Sequence, residues 1–236
     1  MNVPIQRISI LLSSVMILGA CTEGQERELQ SEVDQAQVEV SEEMGEFRTA
    51  MDQALTETDR ELAELEADLE QAEEGAEGEW HETVRELREE HEEVQGELAR
   101  LEEGTEEEWR ETRRQLSRSV IALERDLDRA QLEALEEANE FSRAVDEALG
   151  EVDQGLNRLQ TEMAELDEAT QREYREAAGS IEQDLRELEA ESDELADATD
   201  EEFAEMQSEM ADEVAELRYE LRELEYEMRW DVESSA

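Results

Sequence analysis
Lysine is absent from this chain of 236 residues, proline occurs once, at Pro4, cysteine once, at Cys21, and histidine twice, at His81 and His91. Each shortage excludes something. A single cysteine cannot close an internal disulfide. One proline near the start leaves the rest of the chain without the residue that most reliably breaks a helix. Aromatic residues make up 4% and the mean hydropathy is −0.85, which is unlike a compact mixed fold. All 21 basic residues are arginine and they face 73 acidic ones, a net charge of −52. A surface of that sign repels phosphate backbones, so nucleic acid is a poor partner. Arginine without lysine under such an acidic excess fits a chain adapted to high salt, and a GC-rich genome would favour the same choice.

What the sequence has in abundance is Glu, Ala, Leu, Arg and Gln, which lose little side-chain freedom in a helix. High charge alone would equally suit a disordered chain. Periodicity decides between them. Apolar residues fall at Leu29, Val33, Ala36, Val40, Met44 and Phe47, then at Leu55, Leu62, Leu65 and Leu69, with Thr58 in register. The stripe continues through Trp80, Val84, Leu87, His91, Val94, Leu98 and Leu101. Steps of three and four mark a helical face, and alternation of period two is absent. The spacing stays close to the roughly 3.6 residues per turn of a relaxed helix, so little supercoil is demanded.

The stripe also repeats. A shift of 94 residues, from Phe47 to Phe141, lays Phe47-Arg-Thr-Ala-Met-Asp-Gln-Ala-Leu over Phe141-Ser-Arg-Ala-Val-Asp-Glu-Ala-Leu. Asp59, Leu62 and Leu65 then fall on Asp153, Leu156 and Leu159. Matched aromatics and aspartates imply a tandem duplication, residues 47–140 and 141–234, preceded by a leading helix over 29–46. The expected fold is all-α, made of long amphipathic helices arranged as a coiled-coil rod or an antiparallel helical bundle. Thr105-x-x-Glu108, Thr170-x-x-Glu173 and Thr199-x-x-Glu202 each match a capping box, where the chain can start a new helix. Breaks are expected at Gly104 and near Gly75 and Gly78 if anywhere; the continuous stripe slightly favours an unbroken helix.

The first residues are of another kind. Arg7 and the chain amine precede an apolar run from Ile8 to Leu18, the layout of a secretory signal and too short to span a bilayer. Leu18-Gly19-Ala20-Cys21 resembles the lipobox of bacterial lipoproteins. The resemblance implies a signal peptide over 1–20 and diacylglyceryl and acyl groups on Cys21, and the polar residues that follow make 21–28 a lipidated cysteine and tether. Several acyl chains make a stable anchor where one is marginal. Thr22, not Asp, after the cysteine implies outer-membrane sorting in a Gram-negative cell, with the chain facing the periplasm. A covalent peptidoglycan link through a terminal lysine does not suit an ending of Glu-Ser-Ser-Ala.

A second resemblance covers about Ala72 to Leu135, where Trp80 and Trp109 are followed by Arg-Glu-Thr-Arg-Arg-Gln-Leu. It is similar to short bacterial coiled-coil proteins described as stress-response proteins, and Tyr174 and Phe203 match the same pattern. That family usually carries Lys and Ala where this chain has Glu and Arg, and it usually lacks a lipid anchor. The stripe also resembles apolipoprotein-type lipid-binding helices.

Nothing in the sequence assembles an active site, a metal centre or a cofactor site. His91 falls on the apolar stripe, about 80° from the face of His81, and reads as an interface residue. The carboxylates lie on solvated faces, where nothing separates their pKa values for acid and base roles. Two segments depart from the acidic pattern. Arg110, Arg113, Arg114 and Arg118, with Arg125 and Arg129, make residues 109–130 locally basic, whereas the equivalent stretch from Phe203 is acidic. A Glu-rich neighbour such as residues 86–103, or its counterpart in another subunit, would complement it; anionic lipid headgroups are the alternative. Tyr219, Tyr226 and Trp230 lie opposite Leu217, Leu221, Leu224 and Met228 on the last helix, as in a helix packed on two sides or a docking face for a partner. The expected function is a non-enzymatic envelope lipoprotein, a helical spacer or interaction platform that self-associates or binds an envelope protein. The alternative is an amphipathic lipid- or client-binding protein of apolipoprotein or holdase type.

Overall fold
The computed structural model describes residues 23–69, 77–100, 106–135, 137–195, 198 and 200–235. Among these residues the chain is all-α: α1 (Glu23–Leu69), α2 (Glu77–Arg100), α3 (Glu106–Glu133), α4 (Ala138–Glu162), α5 (Glu168–Leu195) and α6 (Asp200–Ser235), with one 3-10 turn over Met163–Glu165. The chain divides into two compact units, Met1–Gly45 and Glu46–Ala236, the second beginning beside Phe47, where the sequence repeat begins. In the first unit, residues 23 to 28, expected in the polar tether, are already helical. Glu, Gln and Arg there favour helix as strongly as the residues that follow.

In the second unit the helices run up and down. His91 Nε2 donates to the Leu55 carbonyl at 2.9 Å, and Arg88 pairs with Asp59 and Glu66, so α2 lies antiparallel to α1. Phe47 meets Trp109 edge to face, which sets α3 beside α1. The next three helices repeat the plan: Gln160 to Glu182 and Ser192 to Asp146 set α5 antiparallel to α4, and Phe141 meets Phe203 edge to face. The aromatic contacts are related by the same shift that relates the sequences. Ring centroids are 6.2 Å and 5.6 Å apart, at interplanar angles of 78° and 77°.

Burial follows the stripe. Leu55, Leu62, Leu65, Val84, Leu87, Val94 and Leu98 are buried in the first block, and Leu149, Leu156, Leu159, Ala178, Ile181 and Leu188 at the matching positions of the second. Each fully buried leucine contributes about 2 kcal/mol from area removed from water. Thr58 keeps its place on the stripe because its Oγ1 donates to the Ala54 carbonyl at 3.0 Å, which satisfies the hydroxyl inside the helix.

A single unbroken helix from Leu29 to Met228 is overturned, because the helices of the second unit lie side by side. Two breaks fall where they were expected: α1 ends at Leu69 and α2 begins at Glu77, and α2 ends at Arg100 and α3 begins at Glu106, intervals that hold Gly75 and Gly104, whereas the break after Glu133 was not expected. Gly75 and Gly104 lie outside the described residues, as do Thr105 and Thr199, while Gly78 sits inside the first turn of α2. Thr170 does not cap α5. The cap is Asp167: its Oδ1 accepts from the Ala169 and Thr170 amides at 2.9 and 3.3 Å, and its Oδ2 accepts from Thr170 Oγ1 at 2.6 Å. These bonds hold the Asp167 carboxyl below its ordinary range. A charged carboxylate is the better acceptor for orphan amides at a helix N-terminus, so the helix starts there.

Candidate functional site
A broad helix contact of the second unit joins α3 to α6, which run antiparallel and bring the two matching stretches together. Arg129 Nη1 lies 2.8 Å from Asp212, Arg125 Nη1 3.7 Å from Glu216, and Arg118 Nε 3.7 Å from Glu223. The basic stretch is therefore complemented by the acidic stretch of the second block, and residues 86–100 of α2 also pack on α3, with Glu90 near Arg125. Sequence reading noticed both stretches but had no distance information to pair them.

At the middle of this contact is a pseudo-symmetric ionic network. Asp128 is buried and accepts from Arg218 Nη1 and Arg222 Nη1, both at 2.7 Å. Arg222 Nε reaches Glu124 at 3.3 Å, and Arg218 Nη2 reaches Glu151 at 2.7 Å. Burial pushes the Glu124 carboxyl above its ordinary range despite Arg222. Burial also opposes charge on Arg222, but Asp128 and Glu124 outweigh it and keep the guanidinium protonated. Nothing in the single-sequence pattern marked this network, since each member sits among many like charges.

The residues singled out from sequence divide into two groups. Arg113 is buried, its guanidinium 5.3 Å from the Phe47 ring centroid and 5.2 Å from that of Trp109, so it is part of the aromatic core contact. Tyr219 lies under Arg125, 5.4 Å from ring centroid to guanidinium. Arg114, Arg118 and Tyr226, by contrast, converge on one groove of about 420 Å³ between α3, α5 and α6. Its apolar wall is Ile121, Tyr174, Ala177 and Leu224, and Glu173, Glu223 and Glu227 stand with the two arginines. α6 is thus packed on two sides, by α3 and by α4 and α5, which accounts for the two apolar faces of the last helix. Cys21 lies outside the described residues, and the side chains of Arg110 on α3 and Trp230 on α6 are likewise not described.

A larger groove of about 760 Å³ is bounded by α1, α3, α4 and Arg218 of α6, with Glu61, Glu64, Glu140 and Glu147 against Arg60. Burial, then the nearby Asp128 charge, raises the Glu61 carboxyl above its ordinary range. Among the described residues no group of three or more His, Cys, Asp or Glu is placed to hold a metal ion. Among them, too, no helix is long and apolar enough to cross a membrane. His91 is held by its bond to Leu55, and His81 is exposed. No protein-family model, curated protein or solved structure matches the chain.

Proposed function
We propose that this chain is a non-enzymatic envelope lipoprotein, anchored through acyl groups on Cys21 in the outer membrane and facing the periplasm, whose helices form a spacer or interaction platform. The observation that carries the reading is the Leu18-Gly19-Ala20-Cys21 lipobox after an apolar run, joined to a helical bundle whose stripe is buried in its own core. An anchor on a bundle with a closed core suits a protein that presents a surface. The surface with mixed chemistry is the groove where Arg114, Arg118 and Tyr226 meet Tyr174, an aromatic and arginine composition typical of contact centres.

Metabolic labelling with palmitate tests the anchor. Label on the wild type that is lost from Cys21→Ser is the expected result; label absent from the wild type, or persisting on the variant, overturns it. The platform is tested by recovery of partners from solubilised envelope with the wild type and with Arg114→Glu/Arg118→Glu. Partners that disappear with the double variant support the groove; an unchanged set removes it from the reading.

A further inference from the structure
The α3–α6 contact has the form of an interface between two copies of one unit. Equivalent residues meet across it: Arg118 pairs with Glu223, and the shifted pair, Asp212 with Arg129, pairs too with the charges exchanged. The Arg218 to Asp128 pair maps likewise onto Glu124 with Arg222. Acids occupy the two network positions in the first block, Glu124 and Asp128, and arginines occupy the same positions in the second, Arg218 and Arg222. The first block therefore fits a second block and repels another first block, whether the second block belongs to the same chain or to another copy.

The connection that keeps the pairing within one chain is unusual. Between Glu133 and Ala138 the sequence holds no glycine and no proline, and Ala134, Leu135 and Ala138 are strong helix formers. The apolar register also passes straight through it: Leu127, Ala130, Ala134, Ala138, Phe141 and Val145 follow in steps of three and four. Glu137, at the start of α4, is extended, with φ −95° and ψ 125°, and makes no side-chain cap. What holds the bend is a tertiary contact. Gln207 of α6 donates through Nε2 to the Leu135 carbonyl at 2.7 Å and the Glu133 carbonyl at 3.3 Å, acceptors that a continuous helix would satisfy from its own backbone.

We infer that α3 and α4 can straighten into one helix and that the protein forms a domain-swapped dimer with a second copy of itself, the first block of each chain packing on the second block of the other through the α3–α6 face. Gln207 is the latch of the closed monomer. In the swapped dimer the charge network is re-formed twice, and the joined helix, Glu106 to Glu162, is about 85 Å long at 1.5 Å per residue.

Two variants separate this from an ordinary dimer. Gln207→Ala leaves the two carbonyls without their donor only in the bent form, and it should raise the dimerisation constant about a hundredfold, about tenfold for each of the two hinges that open. Ala138→Pro should abolish the dimer. Proline is accepted at the first position of α4, after a residue already in the extended region it prefers, but it breaks a helix that runs through. The assay uses two differently tagged full-length chains, both with Cys21→Ser, one carrying Arg129→Cys and the other Asp212→Cys, co-expressed and treated with a short bismaleimide. A covalent heterodimer that increases with Gln207→Ala and vanishes with Ala138→Pro is expected, circular dichroism showing each variant folded. No heterodimer in any background, or one indifferent to Ala138→Pro, overturns the proposal. The assay lacks Cys21, so its outcome is independent of lipid anchoring.

Discussion

Asp128 and Arg222 stand at the same position of the two repeat blocks, yet they pair with each other at 2.7 Å across the contact between those blocks. In two identical blocks these positions would set like charges side by side. Opposite charges there turn a self-complementary face into one that distinguishes first block from second.

Asp128 is nearly inaccessible, and both its arginines are three-quarters covered, so removing the acid leaves two confined guanidinium groups without their central acceptor. Asp128→Ala is expected to cost about 3 kcal/mol, the range for breaking one side of a buried ionic network. The exposed pair of Arg60 with Glu64 provides the contrast: Glu64→Ala is expected to cost under about 0.5 kcal/mol. Urea titrations followed at 222 nm give both numbers, and equal losses would place the network at the surface in energetic terms.

Helical glycines provide a second pair of opposed expectations. A side chain at Gly150 or Gly179 would meet no atom within 4 Å, so alanine there should stabilise by about 0.5–1 kcal/mol through helix propensity alone. Gly155 is buried against α6, where an added Cβ would strike Leu221 and crowd Glu225. Gly155→Val should cost about 1–3 kcal/mol by overpacking. Thermal melts of the three variants decide it, and a neutral Gly155→Val would mean that Leu221 simply turns away.

The helical class and the stripe were legible because each is written in periodicity. Leu55, Thr58, Leu62, Leu65, Val84, Leu87, His91, Val94 and Leu98 are buried where periodicity set them, with Trp80 at the margin. The fold-back in the middle of the stripe, after Glu133, was not legible, whereas those near Gly75 and Gly104 were marked by glycine. The turn after Glu133 carries no glycine, proline or capping box, and its stability rests on Gln207, some seventy residues further on. Thr170 gave a plausible cap signal, but Asp167 three residues earlier made the stronger one. Of the groove, the sequence supplied Arg114, Arg118 and Tyr226 without placing them together; Tyr174, read only as a repeat marker, is the residue that it missed.

An apolipoprotein-like or holdase-like mode would require the bundle to open along its stripe. Trp109 reports on that step because it is 2% exposed and locked between Phe47 and Arg113. With the bundle closed, vesicles of anionic phospholipid should leave the emission of Trp109 unshifted. A Trp80→Phe/Trp230→Phe background isolates the signal. A change in its emission on vesicle addition, with helicity retained, would favour the opened, lipid-covering mode over the platform.

Acidity should first stabilise this protein and only later unfold it. The carboxyls of Glu124, Glu61, Glu90, Glu213 and Glu220 are all raised, in each case chiefly by burial and further by neighbouring acids, at Glu124 against the opposing charge of Arg222. A raised carboxyl binds its proton more tightly folded than unfolded. Its contribution is therefore fully present below the unfolded value, near 4.5, and is lost as pH rises through the folded one. Asp167 runs the other way, lowered by its capping bonds, so its contribution is lost as pH falls; it is fully exposed and screened by solvent. Five raised groups under a net charge of −52 outweigh it in mild acid. The melting temperature should thus climb from about pH 7 to about pH 5, and in stronger acid the Asp167 contribution is lost. Glu124→Gln, which removes the most buried of the five, should flatten part of the climb. A melting temperature that drops steadily from neutral pH would mean that paired acids, not buried ones, govern the titration.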